Sequence, residues 1–575
     1  MAADVPFDLG RLLFNLGFIH PLVRREVVCT LVLLALAVFT YRMRWIATIE
    51  RFWVRLARRP VLTFAAVFIL PLLFRAVLLF SYSPPAPYIY DEFGNILLAD
   101  TFAHWRVANP APPFGVHFET FSSLQYPRYF SFRPPVPGLF LALLKPLAGS
   151  FWGGVCIGMG LMCAAILWML RGWFPPRWAL LGALLATMQA GVLSYWMNTY
   201  WGGQWAALGG ALLLGGLGRL LRYPRGRDAM LMAIGCGLAV NTRPFEGAAV
   251  ALTGVSILLV GFARADTPKR RALLRAAVPG MVTAGLILGA MLYYNFRLTG
   301  SPLRLPYHLG VNTHNWAPQL AWQPLGPRKH YTHDVMRRFF EGWEITEYRH
   351  WKATSLAETL LDRLAETWQF FVRPALSLAL LALPWVAFRD RRVRPLLWIC
   401  LAMVPVTLAS VWYNPHYIAP VTAAFYGILL QGIRHLRAWS RRGSAWWAAM
   451  ARVIPVSCAL TLGAGMAMDL TGVRMRETTR GWCGRFLELR TREEMRSRVS
   501  NLEGNQLILV RYQPDHDYFA EWVYNDADID RAKIVWAREM DPTRNAALMK
   551  HFQDRKAWLL EADMKPPRLS PYPAP

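Results

Sequence analysis

Residues Tyr88–Gly138 read YIYDEFGNILLADTFAHWRVANPAPPFGVHFETFSSLQYPRYFSFRPPVPG, the first long polar stretch in a chain otherwise built of apolar runs. It opens on adjacent carboxylates, Asp91 and Glu92, just after the apolar segment Val61–Phe80. Phe93, Leu97, Phe102 and Trp105 follow at helical spacing, which predicts a helix lying along a membrane surface rather than crossing it. A carboxylate pair held at a bilayer surface can work on a substrate anchored by a lipid.

Composition agrees with a membrane setting. The 575 residues are 55% hydrophobic and 17% charged, and several apolar runs approach the length that spans hydrocarbon. The formal net charge of +27 invites a nucleic-acid partner. Its basic residues, however, cluster beside apolar runs (Arg42–Arg59, Arg219–Arg227, Lys269–Arg275, Arg389–Arg394, Arg434–Arg442), as cytoplasmic loops do, so no nucleic-acid partner is expected. Six of the seven cysteines lie in apolar runs, and only Cys483 lies in a polar one; neither a disulfide framework nor a metal motif is implied. No short apolar run with a cleavage site opens the chain, so no removable signal peptide is read.

The expected fold class is a polytopic α-helical membrane protein with a small C-terminal α/β outer domain. After a short first span at 27–41 come Val61–Phe80, Phe151–Leu170, Trp178–Trp196, Ala206–Leu221, Ala229–Val240, Gly247–Phe262 and Ala277–Tyr294. Pro374–Phe388, Pro395–Trp412, His416–Ile433 and Trp446–Met468 complete about twelve crossings that keep every basic cluster inside. Three regions result: 1–60, a span and basic linker; 61–470, the membrane domain with outer loops 81–137 and 295–371; and 471–575, an outer domain. In the last, Gln506–Tyr512, Lys533–Arg538 and Lys556–Glu561 read as strands. Arg485–Val499, Tyr518–Asn525 and Asn545–Phe552 read as helices, and the tail LSPYPAP as a disordered end.

Several polar groups are candidates for chemistry, each with a plain structural alternative. Asp91 and Glu92 suit a helix start, where carboxylates oppose the dipole, or a general base with a helper. Asn95 shares a helical face with Asp91 and can help hold an acceptor group. His117 and Glu119 alternate on one side of an extended segment, so a divalent cation, if any, would draw ligands from Asp91, Glu92, His117 and Glu119. Arg128 and Arg133 suit interfacial snorkelling or the grip of a lipid phosphate. Arg243, in NTRPFEG, interrupts an apolar region; it reads either as a buried pair with Glu246 or as the lining of a cavity. Asn198, Trp201 and Gln204, in YWMNTYWGGQW, suit an interfacial aromatic belt or a sugar site. His416, in YNPHY, reads as a satisfied structural group or as a site residue on the same face.

These features together resemble the GT-C superfamily of membrane glycosyltransferases, which includes protein mannosyltransferases and lipid A aminoarabinose transferases. The resemblance rests on YDE…LLADTFA…NP…HFET, YW-x-N-x-YWGGQ, NTRPFEG and NPHY, and spans most of residues 60–430. It implies a polyprenyl-phosphate-linked sugar as donor and an inverting transfer on the periplasmic face of a bacterial inner membrane. The acceptor would be a protein, lipid A or a polysaccharide. Asp91 would be the base and Glu92 its helper, with Arg128, Arg133, Arg243 and His416 at the donor phosphate. The chain departs from the family in having Phe132-Arg133-Pro134-Pro135 where related sequences carry Tyr-Pro-Pro. Two other classes fit parts of the pattern: a lipid-linked sugar flippase or transporter, with short proline-broken spans, and a non-catalytic envelope assembly protein. Large asymmetric outer loops, no internal repeat and an outer carboxylate pair favour the transferase.

Overall fold

The computed structural model describes residues 21–40, 44–81, 83–440, 444–472 and 490–573. Cys483 and the predicted helical residues 485–489 lie outside these. Five helices among the described residues are long and apolar enough to cross a membrane: Pro60–Phe80, Phe151–Trp173, Pro244–Ala263, Thr267–Thr299 and Ala445–Leu470. The chain is a multi-pass membrane protein. A further run, Leu356–Leu380 continued by Leu383–Arg389, bends by 77° at its break.

Other predicted spans fall on compact helices: Pro176–Ala190 and Gln204–Leu220 are largely buried, and Gly226–Val240 packs against Gln204–Leu220. Small residues permit that packing. A Cβ on Gly210 would lie 1.8 Å from the Pro420 carbonyl oxygen, so no larger residue fits at that crossing. The first helix, Pro21–Thr40, is held by Glu26, whose carboxylate meets Arg373 at 2.6 Å with both side chains almost wholly buried. Removing one partner of such a pair strands a buried charge at a cost of about 3–5 kcal/mol.

NTRPFEG is the turn between Gly226–Val240 and Pro244–Ala263. Its Asn241 carbonyl accepts a hydrogen bond from Val136 N–H at 3.2 Å, beside the segment that follows the long Asp91 loop. The turn therefore lies on the face that carries that loop (the loop face), not at mid-depth of a broken span. Pro135–Ala148 is a single short helix between the Asp91 helix and Phe151–Trp173.

The C-terminal segment forms a four-stranded sheet of β3 (Asn505–Arg511), β4 (Ile534–Arg538), β5 (Arg555–Glu561) and β6 (Arg568–Pro571), in the order β4-β3-β5-β6. β3 runs parallel to β4 and β5, and β6 is antiparallel to β5. Pro542–His551 is the crossover from β4 to β5, capped by Asp541, which accepts from Arg544 N–H at 3.0 Å. The strands are apolar on both faces because both are covered. Ile508 and Val510 pack with Met495 and Val499 of the helix Arg490–Ser500.

Leu507 and Leu509 point the other way and share a core with Leu97, Phe118 and Tyr129 of the long loop. Two expectations are corrected here. Residues 518–525 are irregular rather than helical, because Asn525 is spent on the sheet edge: its side chain bonds both the N–H and the carbonyl of Trp536 at 2.8 Å. The tail is not wholly without structure, since Arg568–Pro571 pairs with β5.

The same sheet corrects the reading of the Asp91 helix, Tyr90–Ala103. It does not lie bare on a bilayer surface. Phe93 stacks on Tyr524 with ring centroids 3.7 Å apart, and Asp100 accepts from Ala527 N–H at 2.8 Å. Of the four apolar residues at helical spacing, Phe93 and Leu97 are buried under the C-terminal domain while Trp105 is 93% exposed. Periodicity reports that a face is covered, not by what.

Arg538 ties the two parts together. It meets the Glu521 carboxylate at 2.5 Å, donates to the Glu119 carbonyl at 3.0 Å, and accepts through its own carbonyl from His117 Nδ1 at 2.9 Å. Glu521→Gln should loosen the domain by about 3–5 kcal/mol, since the buried guanidinium loses its counter-charge. Limited proteolysis of the detergent-solubilised protein would show release of residues 490–573 at lower protease or temperature than in wild type; an unchanged pattern would contradict this role.

Candidate active site

On the loop face a cavity of about 390 Å³ opens against the start of the Asp91 helix. Its wall is drawn from distant parts of the chain: Tyr90, Asp91 and Arg133 from the first loop, Trp201, Tyr307, Trp343 and Glu344, Arg363, Trp412 and Tyr417, and Phe519 from the C-terminal domain. It combines large aromatic faces with a few ionisable groups, the composition of a site for a partly apolar, partly polar ligand.

Asp91 and Glu92 are adjacent but face apart, as neighbours on a helix do. Asp91 forms an ion pair with Arg133 in the cavity wall. Glu92 points into the protein. One of its oxygens accepts from Tyr88 and Ile89 N–H at 3.3 and 3.4 Å, and the other from Tyr200 N–H at 2.9 Å. Asn95 completes the tie by donating to the Tyr200 carbonyl at 2.9 Å. Glu92 and Asn95 thus fasten the Asp91 helix to the YWGGQW segment; neither lines the cavity, whereas Asp91 does.

Arg133 lies 5.5 Å from the Tyr90 ring and 5.8 Å from the Phe132 ring, with Ser122 Oγ at 3.4 Å. Gly94 makes room for it: a Cβ there would lie 2.9 Å from Arg133 Cγ. Arg243 does not pair with Glu246; its guanidinium sits 4.2 Å from the ring of Tyr417, which separates it from the cavity. Among the described residues no carboxylate lies within ion-pair distance of it. Arg128 is exposed at the turn between β1 (Ser123–Leu124) and β2 (Phe130–Ser131), away from the cavity.

The remaining candidates divide in the same way. Trp201 lines the cavity and meets the His416 ring edge-on at 4.4 Å. His416 is buried behind it, sharing a hydrogen bond of 2.9 Å with the Tyr195 hydroxyl, and burial beside Arg243 and Arg133 pushes its pKa well below the usual value. Asn198 accepts from Arg75 Nε at 2.8 Å and donates to the Val192 and Ser194 carbonyls, so its amide is fully employed in the fold. Gln204 is buried at the start of its helix and does not reach the cavity.

His117 and Glu119 sit at the seam with the C-terminal domain, where Glu119 lies 3.6 Å from His333. Burial lowers the His117 pKa and raises that of Glu119. Asp91, Glu92, His117 and Glu119 are thus not brought together, and among the described residues no group of three or more His, Cys, Asp or Glu is arranged to hold a metal.

Several ionisable residues of the wall escaped the sequence reading, Glu344 and Arg363 among them. Glu344 accepts from Trp316 and Ala317 N–H at 3.1 Å and from Asn315, and burial pushes its carboxyl up to about 7. Arg363 is 6% exposed, donates to the Ser410 carbonyl at 2.7 Å, and has no hydrogen-bond partner at Nη1. Glu344 sits in a charge-rich run and Arg363 on an ordinary amphipathic helix, Leu356–Thr367, so neither carried a local signal.

The Glu92 carboxyl is likewise pushed up to about 7 by burial, against a free value of 4.5. Its folded form holds the proton more tightly than the unfolded chain does, so its stabilising contribution is complete below pH 4.5 and is lost as pH rises through about 7. The melting temperature should therefore fall less between pH 5.5 and pH 8 in Glu92→Gln than in wild type. Parallel slopes would show that Glu92 does not titrate in this window.

No family model matches the sequence, and no curated protein matches it. Solved structures do. That of ArnT from Cupriavidus metallidurans bound to undecaprenyl phosphate is similar over 87% of this chain and 93% of its own, at 13% identity and a TM-score of 0.50. The apo ArnT structure from the same organism matches 87% of this chain and 92% of its own, with 14% identity and a TM-score of 0.47. The Archaeoglobus fulgidus oligosaccharyltransferase tethered with an acceptor peptide matches 87% and 69%, with 12% identity and a TM-score of 0.45. The first likeness shows that this chain shares the fold of that ArnT structure.

Proposed function

We propose that this protein is an inverting glycosyltransferase that moves a sugar from a polyprenyl-phosphate donor to an envelope acceptor on the periplasmic face of a bacterial inner membrane. The observation that carries the reading is a carboxylate, Asp91, beside a guanidinium, Arg133, in the wall of an aromatic-lined cavity on the loop face of a membrane bundle. The fold likeness to a structure solved with undecaprenyl phosphate bound supports a lipid phosphate as the donor's carrier. The reading goes with about twelve crossings and with both long loops and the C-terminal domain outside.

In the reaction, Asp91 accepts the proton of the acceptor hydroxyl as its oxygen attacks the anomeric carbon from the face opposite the phosphate. The bond from that carbon to the phosphate oxygen breaks with its electron pair, and polyprenyl phosphate leaves as an anion. Arg133, with Arg243 behind Tyr417, supplies positive charge where that anion develops, the kind of preorganised stabilisation that acts on the transition state. Trp201, Trp343 and Trp412 offer faces on which sugar rings stack. Glu92 contributes by aiming its neighbour rather than by touching substrate. On this reading the C-terminal domain, whose Phe519 borders the cavity, selects the acceptor.

Purified protein in lipid, given radiolabelled polyprenyl-phosphate sugars and an envelope extract, should move label to an acceptor, and Asp91→Asn should slow transfer about 10²–10⁴-fold, the usual range for losing a general base. Parallel lanes with chelator report any cation requirement. Binding of the lipid-linked sugars without any transfer by wild type would overturn the reading.

A further inference from the structure

Resting on that reading, the ion pair between the proposed base and the proposed phosphate ligand has a consequence of its own. Asp91 is held by Arg133, and among the described residues the other side chain that Arg133 hydrogen-bonds is Ser122, whose Oγ at 3.4 Å is too long for a strong bond. Among the described residues, the carboxylate is therefore the guanidinium's one strong hydrogen-bonded anchor. Both side chains keep some exposure, 14% for Asp91 and 18% for Arg133, so a ligand in the cavity can reach the pair. Arg243 is held differently: it rests on the Tyr417 ring at 4.2 Å with no carboxylate at ion-pair distance among the described residues. Arg133 is thus held by a carboxylate ion pair, whereas Arg243, behind Tyr417, is in none among the described residues.

A carboxylate in an ion pair has its lone pairs engaged by N–H donors and is a poor acceptor for a further proton. A phosphate anion competes for the same guanidinium, and arginine binds phosphate through the same planar fork with which it binds a carboxylate. We infer that the donor's lipid phosphate displaces Asp91 from Arg133, so that donor binding frees the base and the donor must bind before an acceptor can be activated. In this exchange Arg133 passes from the carboxylate to the phosphate. Asp91 is left facing the cavity unpaired, and the two like charges end on different sides of the guanidinium. No bond is made or broken covalently.

The exchange makes a prediction that a simple base would not. Asp91 competes with the ligand for Arg133, so removing its charge should tighten lipid-phosphate binding. Undecaprenyl phosphate affinity would be measured for the full-length chain in nanodiscs with wild type, Asp91→Asn, Arg133→Gln and the double variant. Each would first be checked for monodispersity and an unchanged melting profile, with Arg133→Lys in reserve should Arg133→Gln fail. Asp91→Asn should bind about tenfold tighter and Arg133→Gln weaker. In the Arg133→Gln (or Arg133→Lys) background, Asp91→Asn should add little, because the competed-for fork is gone.

Unchanged or weaker binding by Asp91→Asn would overturn the exchange. So would equal tightening in both backgrounds, which would show only repulsion through space. Failure of wild type and Asp91→Asn alike to bind undecaprenyl phosphate would instead sink the donor assignment, and the exchange with it.

Discussion

The site depends on one buried carboxylate that does not enter it. Glu92 gathers backbone N–H groups from its own helix start and from Tyr200, 108 residues away along the chain. A carboxylate accepting several backbone donors fixes those donors in space, and here they belong to the two segments that the site must align. With Glu92 anchored inward, the helix geometry turns Asp91 outward into the cavity. With Tyr200 anchored, Trp201 is carried to the cavity wall. The neighbouring pair thus divides its labour: one residue builds the place where the other works.

Charge in the cavity is arranged with comparable economy. Arg133 is balanced by Asp91, Arg243 rests on an aromatic face, and Arg363 is bonded to a carbonyl on the far wall. Buried cations without carboxylate partners are expensive for a fold to keep unless something else satisfies them. Ring faces lower that cost, since a guanidinium over an aromatic ring gains about 0.5–2 kcal/mol. Tyr417 and Tyr413, both in the YNPHY segment, lie beneath Arg243 and Arg363 respectively. One short turn thereby serves two guanidinium groups, which accounts for both of its tyrosines.

What the sequence disclosed and what it hid follow a physical pattern. Apolar runs announced the long helices, and the parallel strands β3, β4 and β5 were visible as continuous apolar segments because both faces of their sheet are covered. Asp91 stood out because a carboxylate pair opening a polar loop is unusual chemistry for a bilayer surface. Three displaced candidates share one cause: their side chains are taken by partners remote in sequence. Asn198 is consumed by Arg75, Asn95 by Tyr200, and His117 by the carbonyl of Arg538. Spacing within a motif reveals which residues share a face, but not which distant group already occupies it. Glu344 and Arg363 went unseen for the converse reason, as their importance comes only from the cavity to which the fold delivers them.

The helix Tyr90–Ala103 presents Asp91 to the cavity on one side and Phe93 and Leu97 to the C-terminal sheet on the other. A membrane bundle and a layered α/β fold are ordinarily separable modules, free to recombine with other partners over evolutionary time. Here a fourteen-residue helix is common property. Exchanging the C-terminal domain for a foreign one would require recutting the far side of the very turn that carries the carboxylate. The two parts are therefore bound to be inherited as a unit, and variation in one has to be answered in the other along that single helix.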